Sequence, residues 1–296
     1  MRPQVVTLVS GMGWHVQDLL RAAARLRIDL EAVPFHLLCA RITSGTQSLH
    51  GDGRPLDELD GLLVRMMPPG SLEQVVFRMD ALHRLEAAGI PVLNPPRAVE
   101  TAVDKYLSLS RLESAGVPVP RSVATETASA ALLAFEQLGS DVVIKPLFGS
   151  EGRGILRVDQ GEVARRVFQA LERIGSVIYL QEVIAHPGYD LRAFVLDGRV
   201  VAAMRRHAPE GEWRTNVALG GRPEPCQLSK MQESMALDAA QAVGAIMAGV
   251  DLLEEKASGR TYVIEVNAVP GWHALSRTTG CDIASEILNT LLGTRR

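Results

Sequence analysis

The stretch that most constrains this chain is residues 262–271, which have the pattern of a buried strand carrying a carboxylate and an amide. Alternation along a strand places residues i and i+2 on one face, so Glu265 and Asn267 are predicted to point the same way. Asp251 lies in an earlier apolar strand, and residues 254–260 are typical of a hairpin loop that returns Asp251 beside Glu265. Three oxygen donors of low total charge suit Mg²⁺ better than Zn²⁺, with Mn²⁺ as a substitute ion. Solvated side chains at a strand edge are the alternative.

Length and charge bound the class of protein. At 296 residues and 47% hydrophobic side chains, the chain can form two or three compact units. The net charge of −3 and the pI near 6.2 give no overall positive field for nucleic acid, although a local basic cleft would suffice for polyphosphate. No apolar run approaches a membrane span, and the first strand is too short for a signal peptide. These features predict a cytoplasmic protein with no nucleic-acid partner and no membrane contact.

The three cysteines give no sign of a disulfide or a metal site. Cys39, Cys226 and Cys281 are far apart and form no C-x-x-C motif. We expect them to be buried thiols in a reducing compartment.

The first 95 residues predict a parallel α/β unit. A short apolar strand at 5–9 is followed by a glycine turn at 10–15 and an amphipathic helix. The order resembles the start of a dinucleotide fingerprint, but the third glycine and the later acidic residue are missing, which favours a plain helix N-terminus facing a cleft. A proline-rich stop at 90–96 marks the first boundary. Arg65 ends a buried strand, where it either reaches a ligand or lies exposed.

A lysine precedes a glycine loop in the middle of the chain. Lys145 lies in the apolar strand 142–147, which leads into the glycine-rich loop 149–154 and then into a second strand at 155–158. A strand on both sides excludes a Walker A loop and predicts an antiparallel hairpin whose backbone N–H groups cover phosphates. A buried lysine needs a counter-charge, which a nucleotide phosphate would supply. A hairpin without a ligand is the alternative.

The dipeptide Asp197-Gly198 predicts a two-residue hairpin turn. With that turn, Leu196 would pair with Arg199, Arg192 with Ala203, and Asp190 with Arg205. This register puts Asp190, Arg192 and Arg205 on one sheet face and Arg206 on the other. The charged face is then either a solvated ladder or, beside the metal ligands, a site for phosphate or an acyl phosphate.

Seven motifs in this order resemble the ATP-grasp ligases, and most closely the ribosomal protein S6 glutamate ligase (RimK-type) branch. The motifs lie at residues 104–105, 144–146, 149–154, 181–182, 190–192, 214–216 and 265–271. The resemblance covers about residues 90–296 and only weakly the first 90. It implies a parallel α/β domain at 1–95, a central α+β lid at 96–183, and a C-terminal α+β subdomain at 184–296. ATP would lie clasped between two antiparallel sheets.

The resemblance also implies a role for individual residues. Phosphate contacts are implied for Lys105, Lys145, Ser150 and Gly152, adenine contacts for Gln181, Glu182, Val183 and Ile184, a ribose contact for Asp190, contacts with the nucleotide and its metal for Arg214 and Asn216, and Mg²⁺ binding for Asp251, Glu265 and Asn267. Catalytic roles fall to Lys145, which neutralises the transferring phosphoryl group, and to Arg205, which stabilises the oxyanion.

Such ligases phosphorylate a carboxylate with ATP and let an amine displace the phosphate, so an amide, ADP and phosphate result. Trp272 makes this chain look more like the branch that adds glutamate to tetrahydromethanopterin, because a flat ring near the acceptor would stack on a pterin; a core tryptophan is the alternative. We therefore expect L-glutamate and a carboxylate acceptor as substrates, with a small pteridine-like cofactor ahead of a protein tail, and a homo-oligomer. The competing hypotheses are a ligase for another amino acid or peptide, and a non-catalytic nucleotide-binding regulator.

Overall fold

The computed structural model describes residues 1–149, 152–215, 217 and 220–293. Within this part the strands form four sheets flanked by helices, so the fold is mixed α+β, as the sequence predicts. No helix among the described residues is long and apolar enough to cross a bilayer.

The first elements build a parallel sheet and a small antiparallel one. They are β1 (Gln4–Val9), α1 (Trp14–Leu26), β2 (Asp29–Pro34), β3 (Leu38–Thr43), β4 (Thr46–Gly51), β5 (Arg54–Pro55), β6 (Gly61–Val64), α2 (Leu72–Ala87) and β7 (Val92–Leu93). The parallel sheet has the order β2-β1-β6-β7, and β3, β4 and β5 form the antiparallel one. Since β1 neighbours β2 on one side and β6 on the other, the strand order reverses at β1. Ligands of open parallel sheets bind at such a reversal, outside the carboxyl ends of the strands.

The central elements build an antiparallel sheet. They are α3 (Pro96–Val103), α4 (Lys105–Ser114), β8 (Ser122–Thr125), α5 (Ala128–Gln137), β9 (Val142–Lys145), β10 (Leu156–Val158), α6 (Gly161–Arg173) and β11 (Ile178–Glu182). The sheet order is β10-β9-β11-β8. Phe135 of α5 and Phe168 of α6 are buried against one face of this sheet. Asp104 caps α4 by accepting hydrogen bonds from two backbone N–H groups, which separates α3 from α4 and fixes Lys105 in the first turn.

The last elements build a second antiparallel sheet. They are β12 (Tyr189–Leu196), β13 (Arg199–His207), β14 (Arg222–Pro225), α7 (Lys230–Ala242), β15 (Met247–Glu254), β16 (Thr261–Asn267), α8 (His273–Thr279) and α9 (Ile283–Gly293). The sheet order is β14-β13-β12-β15-β16. Helix α7 covers one face, and the other face packs against α1 and α9 at one end.

Asn94 ties the N-terminal unit to the last sheet. Its side chain is fully buried, its Nδ2 donates to the carbonyl oxygens of Met247 and Ala268, and its Oδ1 accepts from the backbone N–H groups of Ile246 and Met247. One amide therefore satisfies backbone groups of both β15 and the segment after β16. The apolar core around Trp272, which also contains residues of α1 and β12, continues the same contact.

Helix α7 ends at Ala242, because Gly244 takes a left-handed conformation with φ +73°. The prediction that all three cysteines are buried is wrong. Cys39 is exposed rather than buried, whereas Cys226 and Cys281 are half-buried, and all three are free thiols.

Candidate active site

A cavity where the two antiparallel sheets meet brings predicted site residues together. It lies beside α4, β9, β11 and β16 and is lined by Ala102, Lys105, Ser108, Leu109, Lys145, Tyr179, Ile264, Glu265 and Val266. The cavity thus brings together two lysines, Lys105 and Lys145, and the carboxylate of Glu265, which lies 160 positions after Lys105 in the chain. A β-bulge between Asp251 and Leu252 in the β15–β16 pairing leaves Ile264 half-buried in the cavity lining, although strict alternation predicts that it points into the core.

Lys145 ends β9 with its ammonium group held inside this cavity. Its Nζ donates to Oε1 of Gln181 at 2.6 Å, and Gln181 in turn donates to the Ser122 hydroxyl at 3.0 Å. Burial lowers the pKa of Lys145 to about 8; Glu265 and Asp251 raise it again in part, and Lys105 lowers it further. The cation therefore carries an uncompensated desolvation cost, which an anionic ligand would relieve.

Lys105 approaches the same cavity from the first turn of α4. Its Nζ donates to the carbonyl oxygen of Gly149 at 2.7 Å, so it contacts the start of the glycine loop. Burial lowers the pKa of Lys105, while Glu265 and Asp104 oppose the shift. Like Lys145, it is a cation held in a site with too little negative charge.

Asp251 belongs to a buried cluster of two carboxylates and two guanidinium groups. Arg192 donates to both Asp251 oxygens, and Arg206 donates to both oxygens of Asp190 and forms an ion pair with Asp251, with 3.0 Å between Nη2 and Oδ2. Burial raises the pKa of Asp251, but Arg192 and Arg206 outweigh it and hold the pKa below its ordinary value. For Arg206, burial lowers the pKa, but the attraction of Asp251 and Asp190 is larger than this effect and raises the pKa above its ordinary value. The four charges sum to zero.

The predicted metal ligands are neighbours in the structure. Asp251 pairs directly with Glu265, and Gly249 with Asn267, so the predicted return of the hairpin is confirmed. Glu265 and Asn267 are half-buried on the same side of β16. Among the described residues no group of three or more His, Cys, Asp or Glu side chains is placed to hold a metal, and this set has two carboxylates and one amide.

The donor set fits Mg²⁺ in kind, with a restriction at Asp251. A carboxylate offers about four lone-pair positions, and guanidinium N–H groups already occupy three of those on Asp251. Glu265 and Asn267 therefore carry the accessible oxygens, although Asn267 Oδ1 also accepts from the Val269 N–H at 2.8 Å. Metal binding by these residues stays a prediction.

The predicted register of the β12–β13 hairpin is wrong beyond the turn. Leu196 pairs with Arg199 as expected, but a bulge between Phe194 and Val195 shifts the pairing by one residue, so Asp190 pairs with Arg206 and not with Arg205. Arg205 lies on the opposite face, with its guanidinium 4.5 Å from the centre of the Tyr189 ring. The catalytic role predicted for Arg205 loses its geometric basis, because Arg206 occupies the position facing Asp190 and Asp251.

The predicted adenine hinge follows β11. The Gln181 side chain is turned towards Lys145, and Glu182 accepts hydrogen bonds from the backbone N–H and Nε of Arg121. Val183 is half-buried and Ile184 is buried, and both lie in the irregular segment after β11. Contacts with adenine would therefore use the backbone and the apolar side chains here; they remain a prediction.

The remaining residues predicted to contact the nucleotide are Asp190, Arg214, Gly152, Ser150 and Asn216, and the side chains of Asp190 and Arg214 already have partners. Both Asp190 oxygens are engaged by Arg206, which disfavours the predicted ribose contact. Arg214 forms an ion pair with Glu212 at 2.7 Å. Gly152 has φ +73° in the turn between β9 and β10. Ser150 and Asn216 lie outside the described residues.

Sequence reasoning missed a cluster around Trp272. The Trp272 ring is fully buried, donates from Nε1 to Asp18 at 2.9 Å, and is contacted by the Arg65 guanidinium at 4.8 Å from its centre. His15 stands edge-on to the same ring at 4.7 Å. Trp272 is thus a core tryptophan, and the Arg65 side chain is buried rather than exposed. One signal in the sequence indicated the contact between Arg65 and Trp272: Arg65 ends a buried strand, and Trp272 follows the predicted metal ligands.

Comparison with known proteins identifies relatives. The sequence model of the RimK-like ATP-grasp domain matches residues 102–291. The chain is 36% identical over 283 residues to the tetrahydromethanopterin:alpha-L-glutamate ligase of Methanocaldococcus jannaschii, covering 94% of each chain. It is also 36% identical over 262 residues to the enzyme of that name from Methanosarcina acetivorans, covering 80% of this chain and 81% of the relative.

A solved structure has the same fold. The ATP-grasp ligase PsnB, solved with a minimal precursor, Mg and ADP, superimposes with a TM-score of 0.78 at 21% identity, over 99% of this chain and 97% of PsnB. The family model and the 36% identical relatives confirm the resemblance inferred from the seven motifs.

Proposed function

The chain belongs to the RimK-like ATP-grasp family, and we propose that it is an ATP- and Mg²⁺-dependent ligase that joins L-glutamate to the carboxylate of a small cofactor. The observation that supports this most is the pair of under-neutralised lysines in the cavity between the two antiparallel sheets, beside Glu265. A polyphosphate has the charge that this cavity lacks. The named activity of the methanogen relatives supports glutamate as the amino acid.

The lysines would bind and orient the phosphates. Lys145, on a strand end and anchored to Gln181, offers a fixed ammonium group, and Lys105 offers a second one at the mouth of the glycine loop. Because both are partly desolvated, their attraction for phosphate is stronger than that of surface lysines. Positive charge fixed before the reaction favours the charge distribution of the transferring phosphoryl group.

The metal would be held by Glu265 and Asn267, with the remaining position on Asp251. Bound there, Mg²⁺ would neutralise phosphate charge and fix the phosphate geometry; Mn²⁺ would serve as a substitute. Arg192 and Arg206 hold the Asp251 carboxylate in one orientation, so we assign them a positioning role.

The reaction proceeds in two steps. An oxygen of the acceptor carboxylate forms a bond to the γ-phosphorus of ATP, and the bond from that phosphorus to ADP breaks. The glutamate amine then forms a bond to the acyl carbon, inorganic phosphate leaves, and the amine proton passes to the phosphate or to water. The chain needs no nucleophile of its own; its residues bind, orient and exclude water.

The acceptor would meet an aromatic surface, but not the predicted one. Trp272 is fully buried, whereas Trp14 is 39% exposed and stacks on His273 at 4.2 Å. We therefore assign to Trp14 the stacking on a pterin-like ring that the sequence suggested for Trp272. Trp14→Leu is expected to raise the KM of an aromatic acceptor without changing that of ATP.

The test is incubation of the purified protein with ATP, Mg²⁺, each amino acid and candidate acceptors, including tetrahydromethanopterin and a peptide tail. We expect ADP release that depends on both glutamate and acceptor, and a product whose mass increases by one glutamate residue. Glu265→Gln should abolish product formation, and Glu254→Gln, on the same hairpin, is the matched control. ADP release without any amide product, or full activity of Glu265→Gln, would contradict the proposal.

Two further predictions from the sequence remain proposals. The unit boundaries after residues 95 and 183 would be tested by limited proteolysis with and without ATP. The homo-oligomer would be tested by measuring the molecular mass in solution.

A further inference from the structure

We propose that Arg65, with the first turn of α1, forms a binding site for a carboxylate that does not react during ligation. The carboxylate belongs either to L-glutamate or to the acceptor. This inference rests on the proposed function for its substrates, but its structural basis is separate from the nucleotide cavity.

Arg65 is a buried cation that forms no ion pair with a carboxylate in the part of the chain that the structure describes. Its side chain is 4% exposed, and among the described residues Nη1 has no hydrogen-bond acceptor. Burial lowers the pKa of Arg65 to about 10. The Trp272 ring beneath the guanidinium offsets only part of the desolvation cost. The two other arginines that are more than nine-tenths buried among the described residues have partners: Arg206 binds two carboxylates, and Arg78 donates to the Pro68 carbonyl at 2.7 Å.

Arg65 lies where the parallel sheet is built to receive a ligand. It follows β6 directly, and the turn after β1 leads into α1, so both stand at the carboxyl end where the strand order reverses. Helix α1 begins after Gly13, which provides no side-chain cap. Val16 and Gln17 donate their N–H groups to the Gly13 carbonyl, so the N–H groups of Trp14 and His15 remain for an anion. A Cβ atom at Gly11 or Gly13 would meet no atom within 4 Å, so space adjoins this turn.

His15 adds a neutral donor to the region of Arg65 and the first turn of α1, which we call the crevice. Its Nε2 accepts from the Trp272 backbone N–H at 3.1 Å, which places the ring proton on Nδ1. Burial, then the charge of Arg65, lowers the pKa of His15 to about 4, so the imidazole is neutral at physiological pH. Arg65 is therefore the cation that a carboxylate would meet, and His15 can donate without competing for it.

The crevice connects to the catalytic cleft through a short segment. Gly271, which approaches His15, lies four residues after Asn267, and Pro270 lies against Gly249 of β15. A substrate with two carboxylates would then place one near Glu265 and the other at Arg65. Because Arg65 is nearly covered, the crevice must open for binding, and the exposed Trp14 ring beside His15 is the side chain at its rim.

The experiment compares the full-length wild type with Arg65→Met, which keeps an apolar chain over Trp272 but removes the charge. We expect Arg65→Met to raise the KM of one carboxylate substrate about 10- to 100-fold, as for the loss of a charge-assisted hydrogen bond, with the KM of ATP unchanged. A rise for glutamate, with lost discrimination against L-glutamine, assigns the site to glutamate. A rise for the acceptor alone assigns it to the acceptor.

Controls separate binding from folding. Arg54→Met removes a half-buried arginine that contacts Gln4 at the amino end of β1, which is the opposite end of the parallel sheet, and should leave both KM values unchanged. Arg65→Lys, which keeps the charge but loses the planar fork, should lie between wild type and Arg65→Met. The ligand-free melting temperature of Arg65→Met should not fall, since an unpaired buried charge is removed. Unchanged KM values for both substrates in Arg65→Met and Arg65→Lys would overturn the inference.

Failure of the carboxylate site at Arg65 can be distinguished experimentally from failure of the proposed ligase function. If the wild type forms no amide, the proposed function fails, and the site is then tested by the melting temperature with L-glutamate and with succinate as probes. A rise in wild type that Arg65→Met loses supports the carboxylate site. No rise in wild type overturns it.

Discussion

The shifted register of the β12–β13 hairpin makes a strong prediction about two adjacent arginines. Arg206 donates two hydrogen bonds to Asp190 and forms an ion pair with Asp251, and all three side chains are at least nine-tenths buried. Arg206→Met keeps most of the apolar volume but leaves Asp190 without a guanidinium partner. Breaking a buried ion pair by removing one partner costs about 3–5 kcal/mol. We expect a loss of that order in the free energy of unfolding.

Arg205→Met is the matched control on the same strand. Its guanidinium lies over Tyr189 and faces away from the carboxylates, so its loss removes a cation–π contact of about 0.5–1 kcal/mol. Urea unfolding of the ligand-free proteins, with midpoint and slope fitted together, measures both changes. The two variants should differ by at least about 2 kcal/mol.

A double variant tests the cause of that loss. Asp190→Asn combined with Arg206→Met removes the stranded carboxylate together with its partner, so the two losses should not add, with a coupling of about 1 kcal/mol or more. If Arg205→Met were as destabilising as Arg206→Met, or if the two losses simply added, the assignment of Arg206 to the face of Asp190 would be refuted.

Three other predictions follow from single groups. The pKa of ligand-free Lys145 is about 8, and bound phosphate would raise it, so the Kd of ATP should rise about tenfold from pH 7 to pH 9. Titration calorimetry should show no such pH dependence of the Kd in Lys145→Arg. A steep pH dependence in that variant would exclude Lys145 as the cause. Asn94→Ala should lower the free energy of unfolding by about 3 kcal/mol, because it leaves buried backbone groups unpaired. Substitution of the exposed Asn289 by Ala should change it little. Equal urea midpoints for the two variants would contradict the role of Asn94 in joining the N-terminal unit to the last sheet. Asp251 has a lowered pKa in the folded state, so its stabilising effect is complete above its unfolded pKa of 3.8 and is lost as the pH falls through the lower folded pKa. Acid unfolding, monitored by circular dichroism, should therefore begin at a higher pH in Arg192→Met than in the wild type. Identical acid transitions would argue against the pairing of Arg192 with Asp251.

The predictable part of the site follows from short-range rules. Strand alternation and the length of the 255–260 loop were enough to place Asp251 opposite Glu265, because few registers bury both apolar faces of β15 and β16. The antiparallel pairing of the strands on either side of the glycine loop was predictable for the same reason, since both segments have a clear strand pattern.

The parts that failed depend on contacts which the local sequence does not encode. A bulge adds one residue to one strand, and neither Phe194 nor Val195 differs from an ordinary strand residue, so counting back from the turn misassigned Arg205 and Arg206. The burial of Trp272 depends on α1, more than 250 residues away in the chain. Such long-range packing could not be inferred from alternation or composition.

The charges of the site separate its cations into two kinds. Arg192 and Arg206 are matched by Asp190 and Asp251, so their cluster is neutral and its main contribution is to rigidity and to the orientation of Asp251. Lys145 and Arg65 have pKa values lowered by burial and, within the described part of the chain, no carboxylate in hydrogen-bond contact. A buried charge of this second kind costs free energy until an anion arrives, so part of the binding free energy of the anion comes from relieving that cost. Loss of a matched arginine should therefore appear first in unfolding, and loss of Lys145 or Arg65 first in substrate affinity.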